Sequence, residues 1–394
     1  MGNETIRFHY MDNLRAFAMV LGLFYHAALA YSPFMDSLWM AASTDNSQLL
    51  DWLAWLSHAF RMPLFFMVAG FFALMLLDKK GVRAFLVNRS TRLLLPLVVF
   101  LPLVLMAIVF SIKWALDSVE NLSPMLIMIQ GSMNNPDAAK PPITTMHLWF
   151  IYNLLLFCLA FVAIYLTGIF KPQTRLNQLL SKRVTPSVIV LLFPLIAFVG
   201  LYITGFPHPV PDRFMPALWS FLYYGSFFLL GAILFNQQHL IDRFKPLLAG
   251  LLIVSLLGYG YLYQQFPATL DMAAVMAQDF DAMRSDNHLW VCLVQAYMGI
   301  WLSLVLMVMA KTWFNRSNSV MRYISDSSYW VYILHVPVLF MVQFLLLDVQ
   351  LNMWLEFFIS AFGTWLLCLL SYTLLVRSTV VGTLLNGRRW AWFK

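Results

Sequence analysis

Residues 12–31, DNLRAFAMVLGLFYHAALAY, set ionisable groups inside an apolar run: Asp12 and Arg15 near its start and His26 within it. Eleven residues separate Arg15 from His26, which on an α-helix is three turns plus about 20°. The two side chains therefore leave one helix face, about 16 Å apart along the axis. Asp12 falls within about 40° of the same stripe. A titratable side chain deep in a membrane span is costly and points to function by default. Two quieter readings stand beside that one. Arg15 can extend its head to a lipid headgroup, and His26 can bond a neighbouring helix.

Further candidates follow along the chain. In HAFRMPLFFMVAGFF, His58 and Arg61 stand one helical turn apart and share a face. In RAFLVNRSTRLLLP, Arg89 and Arg92 make a fork suited to phosphate oxygens, or simply carry topological charge. His147 precedes Trp149 in PPITTMHLWFIYNLLLF, where the tryptophan reads as an interfacial anchor. In ISDSSYWVYILHVP, Ser328, Tyr332 and His335 line one stripe ahead of Pro337. Such a stripe also describes a satisfied interhelical hydrogen-bond network. No HExxH, CxxC or carboxylate cluster suggests a metal, and no GxSxG, P-loop or dinucleotide fingerprint is present. Histidine, arginine and a little aspartate remain, a set suited to general-base chemistry on a hydroxyl with arginine holding an anionic donor.

The elements that must position these groups are membrane helices. The chain has 394 residues, of which 61% are hydrophobic and only 11% charged, so it does not read as a water-soluble domain. Its start does not read as a cleavable signal peptide, because the first apolar run opens with charges and lacks a small-residue cleavage pattern behind it. Cys158, Cys292 and Cys368 all sit in apolar runs and read as core residues rather than a disulfide framework. Ten apolar runs predict transmembrane helices, at about 14–34, 53–77, 93–115, 146–169, 187–205, 217–235, 246–264, 288–311, 328–347 and 353–376. Alternate joints and the two ends collect 20 of the 25 Lys and Arg, while the other joints are acidic. The positive-inside rule then places both termini in the cytoplasm. The net charge of +7 follows from that topology and does not suggest nucleic acid. The expectation is an all-α polytopic membrane protein of a single domain, 1–394. Two long outer joints, 116–145 and 265–287, are placed to cap or shape an acceptor site.

DNLRAFAMVLGLFYHA, FRMPLFFMVAGFF, NRSTRLLLP, HLWF and ISDSSYWVYILHVP, in this order, resemble the acyltransferase 3 family of integral membrane acyltransferases. Within it, the DN-R-x10-H opening and the lack of an added extracytoplasmic domain look like the branch associated with succinylation of periplasmic glucans. The resemblance implies a bacterial inner-membrane enzyme moving an acyl group from cytoplasmic acyl-CoA, succinyl or acetyl, to a hydroxyl of an extracytoplasmic glycan. It implies acyl-CoA as co-substrate and no tightly bound cofactor. The family's Arg and His carry over onto Arg15 and His26, and its arginine pair onto Arg89 and Arg92, as contacts for the CoA phosphates. His26 would then be the general base, with an acyl-histidine as the alternative, and Asp12 would pair with Arg15. Arg61, with His58, His147 and His335, is assigned to substrate, Arg61 lying on the outer side for the carboxylate of a succinyl group. The rival reading from another class is a transporter or flippase for a lipid-linked sugar, since intramembrane charges also mark substrate paths.

Overall fold

The structure is a computed structural model that describes residues 8–135, 143–171, 173–267, 272–277, 279–316, 318–387 and 390. Every candidate site residue lies within these ranges. Of the charges used to read topology, Arg7, Asp137, Lys140, Asp271, Arg388, Arg389 and Lys394 lie outside the described residues.

The described residues form sixteen α-helices and no strand. They are α1 (His9–Ala28), α2 (Gln48–Arg89), α3 (Leu95–Ser118), α4 (Pro124–Met133), α5 (Trp149–Leu166), α6 (Arg175–Arg183), α7 (Pro186–Leu191) and α8 (Pro194–Tyr202), followed by α9 (Leu218–Asn236), α10 (His239–Arg243), α11 (Leu248–Gln264), α12 (Met272–Ala277), α13 (His288–Trp313), α14 (Ser319–Leu346), α15 (Met353–Ser371) and α16 (Val380–Asn386). Seven helical segments are long and apolar enough to cross a membrane, or eight if a pair bent by 75° between α6 and α7–α8 counts as one span. The sequence reading of ten runs differs from this count for local reasons. Runs two and three fall in one helical stretch, Gln48–Ser118, interrupted at Gly81, where φ is 76° and ψ 173°. Run seven is α11, only 17 residues long. Lipid accounts for the outward faces: Val98, Leu103, Met106, Val109 and Phe110 on α3 and Phe358, Phe362, Leu366 and Leu370 on α15 are exposed apolar side chains.

Three local features decide where the candidate residues stand. First, α1 and α14 pack side by side, with Arg15 against Ser325 near the start of α14 and His26 against His335 ten residues further on. Second, α2 and α9 meet almost backbone to backbone. A Cβ on Gly70 would lie 1.8 Å from the carbonyl oxygen of Phe228, and one on Gly231 would lie 1.8 Å from that of Met67. Small residues at such a crossing let two helices approach where lipid offers no hydrophobic drive to pair them. Third, Pro337 sits inside α14. It lacks an N–H, so the carbonyl of Ile333, four residues earlier, is left without its helical donor. His147 Nε2 takes up that carbonyl at 3.0 Å. The proline thus supplies the anchor for the turn that leads into α5.

Candidate active site

Five of the eight histidines gather in the middle of the bundle. The ring centroids of His26 on α1 and His335 on α14 are 5.2 Å apart, and those of His335 and His147 5.3 Å apart. Tyr25 joins a second pair to these: its ring stacks on His58 at 5.0 Å and meets His26 edge-on at 5.0 Å. His58 in turn lies 5.7 Å from His208. Trp39 stacks on His26 at 5.9 Å and is fixed by its Nε1 donating to Gln343 at 2.9 Å. The Gln343 amide donates to the carbonyl of Ala27.

Hydrogen bonding sets the tautomers of three rings. Carbonyl oxygens only accept, so His335 Nδ1, 2.8 Å from the carbonyl of Tyr332, carries a proton. In the neutral ring its Nε2 is then an acceptor. His147 donates Nε2–H to Ile333, which leaves its Nδ1 as an acceptor, buried and without a partner. His208 accepts at Nδ1 from Gln295 at 2.8 Å and faces the Tyr224 hydroxyl through Nε2 at 3.1 Å. His26 Nδ1 and His58 Nδ1 are likewise buried without hydrogen-bond partners. The hydroxyl of Tyr332 donates to the backbone oxygen of His147 and locks α14 to the α5 entrance. These imidazoles line one chamber, with His26, His58, His147 and His208 half-buried and His335 buried.

Arg61 reaches into the same chamber from α2. Its guanidinium carbon lies 4.2 Å from the Tyr25 ring centroid. It packs over Gly22 of α1, where an added Cβ would sit 3.6 Å from Arg61 Cδ and 3.9 Å from Cζ. Gly22 belongs to the Arg15–His26 stripe, seven residues beyond Arg15 and four before His26. Arg61 therefore stands one turn before His26 on the side of Arg15. The reason is the missing side chain at Gly22, which leaves room on α1 for a residue of α2. Arg61 is 4% exposed.

The other arginines lie towards the N-terminal half of α14. Arg15 Nη2 donates to the hydroxyl of Ser325 at 3.0 Å and to its carbonyl at 3.2 Å. These two bonds tie α1 to α14, helix to helix. Arg89 precedes a π-helical turn, Ser90–Leu94, that contains Arg92, and both interact electrostatically with Tyr329, one turn above Ser325. The hydroxyl of Tyr329 donates to the backbone oxygen of Arg92 at 2.7 Å. Arg89 Nε is buried without a partner, and the Arg92 guanidinium lies against Gly387 just past α16. π-turns of this sort recur at functional sites.

Arginines lie at one end of the α1–α14 seam and imidazoles at the other. A model of the acyltransferase 3 domain, described as an acyltransferase domain, matches residues 8–373. The chain belongs to the acyltransferase 3 family. Its similar relatives include the glucans biosynthesis protein C of Salmonella heidelberg strain SL476 and of Salmonella schwarzengrund strain CVM19633. Each is 22% identical over 338 residues, covering 84% of this chain and 82% of the relative. No solved structure matches significantly. As a family member, the chain is a membrane acyltransferase, and its multiple apolar helices make it a multi-pass one.

The nine sequence-selected residues fall into two groups. The structure brings His26, His58, His147, His335 and Arg61 together at one end and places Arg15, Arg89 and Arg92 around the first turns of α14, with Asp12 a turn before Arg15 on α1. Sequence reasoning missed His208, Trp39 and Gln343. His208 lies in GFPHPVP, a loop without periodicity, and nothing but its residue type marks it. Asp51, counted among the outer charges, is in fact buried. It accepts from Ser32, from Trp55 Nε1 at 3.0 Å and from the Tyr263 hydroxyl at 2.6 Å.

Proposed function

We propose that this acyltransferase moves a succinyl or acetyl group from cytoplasmic acyl-CoA to a hydroxyl of an extracytoplasmic glycan. The relatives' name, glucans biosynthesis protein C, favours a glucan as acceptor. The chain crosses a bacterial inner membrane ten times with both termini in the cytoplasm, a reading supported by the alternation of basic and acidic joints. The observation that carries the proposal is the seam between α1 and α14, which holds arginines at one end and a base at the other.

In this reading Arg89 and Arg92 hold CoA phosphates, and Arg15, tied to Ser325, borders the entrance with Asp12 one turn below it. The pantetheine arm runs along the α1 face towards His26. His26 removes the proton of the acceptor hydroxyl as that oxygen attacks the thioester carbonyl carbon. His335 orients His26, since its Nδ1–H is committed to α14 carbonyls and its Nε2 is free to accept. His58 and His147 contact the acceptor through ring nitrogens that lack protein partners. No cofactor is required beyond the acyl donor.

The test uses purified protein in liposomes with succinyl-CoA or acetyl-CoA, with and without a glucan acceptor, read as free CoA. Wild-type protein is expected to release CoA in an acceptor-dependent way, and His26→Ala to lose about 10²–10⁴-fold of that rate. Undiminished release in His26→Ala overturns the base assignment. Absence of release from either donor, with labelled glycan crossing the bilayer, replaces the proposal with transport.

A further inference from the structure

The chamber contains a charge that its surroundings do not balance. Arg61 is buried, and no ion pair to it occurs among the described residues. One of its terminal nitrogens, Nη1, is enclosed and has no hydrogen-bond partner. Taking a guanidinium out of water without a counter-ion is expensive, and such a group is retained where an anion arrives or forms. The Tyr25 face compensates only part of that cost through a cation–π contact at 4.2 Å. What Tyr25 does supply is rigidity. Its ring carries Arg61 on a face, His58 stacked at 5.0 Å and His26 at its edge, so one aromatic plate fixes a cation relative to the base.

The placement identifies which anion. Arg61 lies over Gly22, one turn from His26 on the Arg15 side of the α1 stripe. A thioester drawn along that stripe presents its carbonyl between the guanidinium and the imidazole. Resting on the acyl-transfer reading above, we infer that Arg61 is a catalytic residue that holds the oxyanion formed when the acceptor attacks the thioester. The step balances within the site. The acceptor oxygen bonds to the carbonyl carbon, the carbonyl π electrons move onto the oxygen facing Arg61, and His26 takes the hydroxyl proton. The oxyanion then re-forms the carbonyl, the carbon–sulfur bond breaks with its pair on sulfur, and His26 returns the proton to the thiolate. Ester and CoA leave, and His26 and Arg61 are regenerated. An already charged, already desolvated donor aimed at the developing negative charge needs no reorganisation at the moment of reaction. Gly22 permits this: any side chain there beyond a methyl would occupy the space of the guanidinium.

The experiment compares wild type, Arg61→Gln and Arg61→Lys in liposomes with saturating glucan, using acetyl-CoA and succinyl-CoA separately. Binding of an S-alkyl-CoA thioether, which lacks the carbonyl, is measured in parallel. Arg61→Gln is expected to lower kcat about 100- to 1,000-fold for both donors alike. The KM for donor and the thioether Kd should stay within about twofold of wild type, the signature of an interaction made only in the transition state. Arg61→Lys should recover part of kcat by restoring the charge without the fork. Unchanged kcat overturns the inference. A loss confined to succinyl-CoA also overturns it, because the guanidinium would then be reading the acyl carboxylate. Loss of thioether binding together with kcat overturns it in favour of a purely structural arginine. If wild-type protein itself releases no CoA, the acyl-transfer reading fails, which is seen before any variant is compared.

Discussion

In the proposed mechanism His335 acts without touching substrate. Its Nδ1 lies 3.1 Å from the carbonyl of Val331 and 2.8 Å from that of Tyr332, so rotating the ring would strand a buried N–H. The ring is thereby held with its other nitrogen available to the neighbouring His26. Removing it leaves the base in place but loosely oriented, and a misplacement near 1 Å can cost about 100-fold in rate. For His335→Ala we expect kcat to fall by about that factor with the KM for acyl-CoA unchanged, measured as CoA release at saturating acceptor. A fall in donor affinity instead would place His335 on the donor path. Much of this was legible in the sequence and some was not. The Arg15–His26 face could be read directly, because helical periodicity is a local property. That Arg61 would enter the same stripe could not be read, because it depends on a glycine of α1 lying opposite an arginine of α2. Likewise Pro337 is visible in the HVP run, but only the fold shows that His147 takes the carbonyl it releases.

Single helices carry the next level of constraint, and α9 does so with opposite signs at two glycines. Gly231 lies where α9 touches α2, and a Cβ there would meet Met67 O at 1.8 Å, Met67 C at 2.7 Å and Phe71 N at 2.9 Å. Backbone cannot yield as a flexible side-chain end can, so the helices must separate. Gly225, six residues earlier on the same helix, has nothing within 4 Å of its Cβ position. Gly231→Ala is expected to destabilise by about 1–3 kcal/mol through overpacking. Gly225→Ala should instead stabilise by up to about 1 kcal/mol, the ordinary helix preference for alanine. Thermal unfolding of the detergent-solubilised protein reads both, and equal effects would rule out the close crossing. The crossing also bears on function, because α2 carries His58 and Arg61 while α9 carries Tyr224, the partner of His208. Helix existence was legible from composition, but helix counting by length was not: α11 falls short at 17 residues, and the joint read between 77 and 93 stays helical except for a break at Gly81.

Across the whole molecule, sidedness decides which substrate can use which end of the seam. Ascending α14, the order is Ser325 with Arg15, Tyr329 with Arg89 and Arg92, Tyr332, then His335 with His26 and His147. The proposed phosphate-binding groups and the proposed base are therefore separated along the helix axis, and a donor confined to the cytoplasm can reach only one of them first. The proposed topology, read from the charge distribution along the chain, puts the arginine end inside. The native cysteines make this testable without removing them, because Cys158, Cys292 and Cys368 are all buried and should ignore a membrane-impermeant thiol reagent. New cysteines at exposed Lys80 and Lys182 should react only in permeabilised cells, whereas ones at exposed Asp36 and Asp286 should react in spheroplasts. The reverse pattern would set Arg15, Arg89 and Arg92 facing the outside. Cytoplasmic acyl-CoA would then meet the imidazole end first, with no arginine fork to hold its phosphates, and the direction of transfer proposed above would fail on electrostatics alone.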